Sequence, residues 1–211
     1  MSMYKCIILL LTVITYSCNV KSNDFEKKYL DVKSNFPYHF VGHFPNSVWS
    51  TNAMYSVDTS TSLNNIAFFF EVVAPPKFYL DSVRGVLGKK SIAVYRANDP
   101  TLFVVNKFTT KDNYRNYYKY PDNYEFDLPD TIYNKIPVPN FFRSPYSQLN
   151  TPSRLDSTFT LYTLECEKGV HWDEYHVQKE NYMPEYWKHG YSKGVAISEE
   201  KQVVIFWFIC W

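Results

Sequence analysis

An α+β fold, with a mainly antiparallel sheet, a few short helices and a buried C-terminal β-hairpin, follows from three features of the sequence. Residues 66–74, 158–166 and 203–211 are dense in β-branched and aromatic types, which suit a pleated, half-buried surface. Residues 194–198 and 203–211 flank Glu199-Glu200-Lys201-Gln202, a polar loop of hairpin length. Helical spacing is confined to short stretches, and nothing repeats with a period of 20 to 50 residues.

The N-terminus reads as an export signal. One basic residue, Lys5, precedes an apolar run from Cys6 to Ile14, far short of the roughly 20 residues that span a bilayer. Thr15 and Ser17 are small residues placed for cleavage before Cys18, and residues 15–18 look like a degenerate bacterial lipobox whose cysteine would be acylated. Residues 1–17 are therefore expected to be removed, with Cys18 lipidated. Plain secretion would cut the same bond. Residues 18–35 form either a charged tether or an N-terminal helix, in which Asn23 and Glu26 would make a capping box and Phe25, Tyr29, Val32 and Phe36 fall at helical spacing.

Residues 36–211 read as a single domain. The strand at 66–74 stops at Pro75-Pro76. A helix over 77–87 follows, with Tyr79, Val83, Val86 and Leu87 on one face and Gly88 placed to end it. Residues 91–97 and 102–108 read as a hairpin around Asn98-Asp99-Pro100. Residues 111–153 form an insertion rich in Tyr, Asn, Asp and Pro, with one short edge strand expected at Tyr124, Phe126 and Leu128. The unalternating terminal strand, 203–211, needs cover on both faces and so belongs in the middle of a sheet.

The 22 basic and 21 acidic residues include Lys5, and its removal leaves 21 of each. A neutral chain without a basic run offers no footprint for nucleic acid. Of four cysteines, Cys6 lies in the signal and Cys18 would carry lipid. Cys166 and Cys210 remain, either as a disulfide or as two small buried hydrophobes.

Gly190-Tyr191-Ser192-Lys193-Gly194 matches a nucleophile-elbow pattern, but a strand follows Ser192 where a helix is required, and no His lies downstream. Gly85-Val86-Leu87-Gly88-Lys89-Lys90-Ser91 lacks P-loop spacing. His39 and His43 sit in a segment whose Gly42 and Pro45 favour a strand or turn. His171, Asp173, Glu174 and His176 are the candidate metal ligands. Asp122, Glu125, Asp127 and Asp130 lack a calcium-loop arrangement. No cofactor motif is present. The chain holds 19 Tyr, 16 Phe and 5 Trp, and Tyr114, Tyr117, Tyr118, Tyr120 and Tyr124, interleaved with Asn and Lys, form a candidate surface for a protein or glycan.

The lipobox-like start, Gly42-His43-Phe44-Pro45, residues 187–194 and the apolar C-terminal hairpin together resemble small uncharacterised lipoproteins of Bacteroidetes. The resemblance implies Cys18 in the outer membrane, with the domain facing the periplasm or the exterior. It carries no activity or catalytic residue. The expectation is a lipid-anchored, non-enzymatic module binding a protein or glycan. The alternatives are a small envelope hydrolase using the His171–His176 segment and an immunity lipoprotein. Cys18→Ala is expected to abolish incorporation of labelled palmitate in a bacterial host; undiminished labelling would remove Cys18 as the anchor.

Overall fold

The computed structural model describes residues 24–48, 52–59, 65–105, 134–173, 177 and 183–211. A helix over 24–34 (α1) and a single turn, α2 (Tyr38–Val41), lead into β1 (Ala53–Asp58) and β2 (Ile66–Val73). Helix α3 (Lys77–Lys90) then connects to β3 (Ala93–Arg96), followed by β4 (Phe159–Lys168), a 3-10 turn (Glu185–Trp187), β5 (Gly190–Ser198) and β6 (Val203–Cys210). The fold is α+β, with one six-stranded antiparallel sheet in the order β1-β2-β6-β5-β4-β3. Through α3 the chain passes from β2 to the far edge, and the meander β3-β4-β5-β6 returns until β6 lies beside β2. Among the described residues no helix is long and apolar enough to cross a membrane.

The central position expected for the terminal strand is observed, and its side chains divide by pleat. Val203, Ile205, Trp207, Ile209 and Trp211 enter one core, while Val204, Phe206, Phe208 and Cys210 enter the other. Helices cover the second face. Tyr29 and Phe36 of the N-terminal segment are buried there, with Phe25 and Val32 packed at the margin, so this helix is docked on the sheet. Lys33 fastens it to the next turn, donating to the Phe44 and Pro45 carbonyls, both at 3.0 Å, and to Asn46 Oδ1 at 2.8 Å. The Tyr29 hydroxyl also donates to Pro45 O at 2.6 Å. Irregular segments around 97–105 and 134–155 cover the opposite face, with Phe103, Val138, Phe141 and Leu155 buried.

Several expectations are corrected. Helix α3 runs through Gly88 and ends at Ser91, whose backbone N–H and Oγ–H both donate to Leu87 O, at 2.9 and 2.7 Å. Two prolines halt β2 and open α3, since neither can donate to the ladder and both set a helix-compatible φ. Among the described residues, 102–105 do not pair with 91–97 as the expected hairpin requires, and 106–108 lie outside the described residues. The partner of β3 is β4 (Ala93↔Thr163 through Arg96↔Thr160), while Leu102 to Val105 turn under the sheet, where Val104 bridges Val138. Strand β1 has no counterpart in the sequence reading. The expected edge strand at 124–128 and the acidic residues 122–130 lie outside the described residues.

Gly190, Ser192, Gly194, Ala196 and Ser198 line one face of β5, and their smallness has a steric cause. Gly194 pairs with Trp207, and a Cβ on Gly194 would penetrate both the Trp207 ring and the Tyr162 carbonyl. A Cβ on Gly190 would lie 2.7 Å from Glu167 O and 3.0 Å from Trp211 Cζ2. The Gly-x-Ser-x-Gly match is thus the inner face of a strand making room for tryptophans, and Ser192 is fully buried in it.

Each face of the sheet also carries a group whose charged form burial disfavours. On the helical face, burial first, with Lys193 nearby, lowers the His43 imidazole to about 3; its Nε2 lies 3.0 Å from Trp207 O. On the loop face, burial raises Glu71 of β2 to about 7 against the opposing hydrogen bond from Ser144.

Gly194→Ala is expected to cost about 3 kcal/mol in chemical denaturation, from overpacking; a cost below 1 kcal/mol would show that the Trp207 ring has room to move. The two buried groups predict a pH profile. His43 lowers stability as pH falls below 6.5, where only the unfolded chain takes up the proton. Glu71 lowers it as pH rises from 4.5 towards 7, where only the unfolded chain gives its proton up. Between about 4.5 and 6.5 the slopes oppose, giving a flat profile in the native chain. Glu71→Gln should unmask the histidine, so that the folding constant rises about tenfold per pH unit in that window; urea midpoints that stay flat would contradict this.

Candidate functional site

A pocket of about 280 Å³ opens on the loop-covered face where β1, β2 and β6 meet the loops. Its floor is apolar and comes from the sheet: Ala67 and Phe69 of β2 and Ile209 of β6, closed by Val105. Register explains the grouping. Ser56 pairs with Phe69, Asp58 with Ala67, and Ala67 with Ile209, so these side chains stand together on one face. The polar wall adds Asn65 from the start of β2, with Asn140, Arg143 and Arg154 from the loops.

Most of the wall is held in place. Asp58, only 5 % exposed, pairs with Arg143 Nη2 at 2.9 Å, and the Arg143 guanidinium lies 5.3 Å from the Phe142 ring centre. Phe142 is itself half exposed at the rim. Asn65 Oδ1, Asn140 Oδ1 and Arg154 Nε are buried without hydrogen-bond partners. The loop segments are braced together, since Phe141 N donates to Ser153 O at 2.9 Å. Phe141 packs on Phe69 and edge-on against Trp207, each with ring centroids 5.7 Å apart. Beyond Phe69 on the same strand face, Glu71 accepts from Ser144 Oγ at 3.3 Å, which fixes the turn after Arg143. An apolar floor with a few convergent polar groups is the usual composition of a small-molecule site.

The residues singled out from sequence fare differently. Tyr114, Tyr117, Tyr118, Tyr120 and Tyr124 lie outside the described residues, as do Cys18, Glu174 and His176. His171 lies edge-on to Tyr191, with Nε2 3.1 Å from Lys168 O, and Asp173 is exposed. Among the described residues no group of three His, Cys, Asp or Glu side chains is placed to hold a metal ion. His39 is exposed, whereas His43 is partly buried with Nε2 3.0 Å from Trp207 O, and the two do not converge.

Cys166 and Cys210 are both free thiols. They sit on strands separated by β5, and they pack into opposite cores, so the disulfide alternative does not form in this structure. Burial pushes each thiol up to about 12, leaving neither as a nucleophile at neutral pH.

Sequence reasoning missed Asp58, Asn65, Asn140, Arg143 and Arg154 altogether. They are scattered along the chain with no shared spacing, and only pairing of β1 with β2 and docking of the loops bring them together. No protein-family model, curated protein or solved structure matches the chain.

Proposed function

We propose that the protein is a lipid-anchored, non-enzymatic module of the bacterial outer membrane that binds a glycan in the pocket between Asp58 and Arg154. The observation that carries this reading is the composition of the pocket: an apolar floor, planar polar side chains braced around it, and the half-exposed Phe142 ring at the rim. Sugars present alternating C–H faces and hydroxyls. The floor and Phe142 suit the first, and Ser56, Asn65, Asn140 and the Asp58–Arg143 pair suit the second.

The lipid anchor rests on residues 15–18, and the docked α1 helix bears on how it would work. Its first described residue is Asp24, six positions after Cys18, and a chain of that length reaches at most about 20 Å. Helix α1 and the pocket belong to opposite faces of the sheet, which leaves the pocket side clear of a tether leaving from the helical side.

Screening the full-length chain against immobilised glycans, with Asn140→Ala and Phe142→Ala alongside, tests the reading. Binding is expected in the native chain and a loss of at least tenfold in each variant, with melting temperatures within a few degrees. A native chain that retains no glycan, or variants that bind unchanged, would refute it.

A further inference from the structure

Resting on the glycan-binding reading of this pocket, we infer that the sugar carries a carboxylate and that Arg154 is the residue that recognises it. The charges in the pocket are uneven. Asp58 and Arg143 neutralise each other at 2.9 Å, whereas no carboxylate among the described residues pairs with the Arg154 guanidinium, whose Nε is buried without a partner. Among the described residues the pocket therefore presents the Arg154 guanidinium as a positive charge without a paired carboxylate. It does so as a planar fork, which matches the two oxygens of a carboxylate.

The backbone supplies an independent argument. Arg154 has φ +74°, a left-handed conformation that a long side chain adopts only under constraint. Among the described residues the other two, Ala74 and Gln202, sit in turns at the sheet end and are bonded to each other, with Ala74 N donating to Gln202 O at 2.8 Å. Arg154 instead faces the pocket and is forced into position from both sides. Ser153 is fully buried, with Oγ donating to Ala97 O at 2.6 Å and accepting from Leu155 N at 3.2 Å, and Leu155 is fully buried too. Gln148 N also donates to Arg154 O at 2.6 Å. A glycine would meet this geometry without strain, so an arginine here is a stability cost tied to what its guanidinium does.

Carboxylate is favoured over a dianionic phosphate because Asp58 shares the pocket. One guanidinium balances a single negative charge, and a second charge would be repelled. The neutral amides of Asn65 and Asn140 are left for sugar hydroxyls.

The test compares methyl β-glucuronide with methyl β-glucoside, which differ only in the carboxylate, by calorimetric titration of the full-length chain and of Arg154→Gly. The glucuronide is expected to bind at least tenfold more tightly, with an affinity that weakens as salt is raised. In Arg154→Gly that preference should vanish while the melting temperature holds or rises. Equal binding of the two sugars overturns this inference and leaves the glycan reading standing. Binding of neither overturns both. A melting temperature lowered by several degrees in Arg154→Gly would make the arginine a structural residue and overturn its assigned role.

Discussion

Trp207 joins the two halves of this molecule. Its ring lies on the loop face of the sheet over Gly194, where Phe141 meets it edge-on, and its carbonyl oxygen lies 3.0 Å from His43 Nε2 on the helical side. Both covering layers are thus referred to one residue of the central strand. The demand for space is strict because the indole replaces what would be a row of Cβ atoms on β5, and Trp211 makes the same demand of Gly190. Interiors are packed too densely to absorb even one extra carbon cheaply. The glycines of residues 190–194 therefore serve packing, although their spacing resembles a catalytic motif.

From that anchor the pocket follows. Phe141 is held by Trp207 and Phe69, and its backbone N–H is bonded to Ser153 O, so the two loop segments that carry Asn140, Arg143 and Arg154 are joined into one wall. The sheet supplies a floor whose geometry is set by strand register. Electrostatics divide the same way: the buried Asp58 pairs inside the wall with Arg143, and among the described residues no carboxylate pairs with Arg154.

Much of the fold was legible in the sequence where the pattern was local and strong. The apolar run at 66–74, the strand from 158 and the terminal hairpin all appear as β2, β4, β5 and β6, and the spacing of Phe25, Tyr29, Val32 and Phe36 marks a helix that docks. Legibility failed where a choice of partner was non-local. Residues 102–105 are as apolar as a strand, yet they bury against Val138 and leave β3 to pair with β4, more than 60 residues on. Strand β1 escaped notice because its apolar-polar alternation covers only Tyr55 to Asp58, with Met54 interrupting it on the polar side.

By itself the sequence determined the class of fold and the central position of the last strand, since each rests on residues adjacent in the chain whose chemistry acts locally. Only the tertiary structure decided that Cys166 and Cys210 face opposite cores, that Ser192 is sealed behind tryptophans, and that Asp58, Asn65, Asn140, Arg143 and Arg154 meet around one pocket. Those outcomes depend on strand order, on which face each pleat presents, and on a backbone angle at one arginine. Such properties come from the packed sheet as a whole and leave no mark in the spacing of the residues that display them.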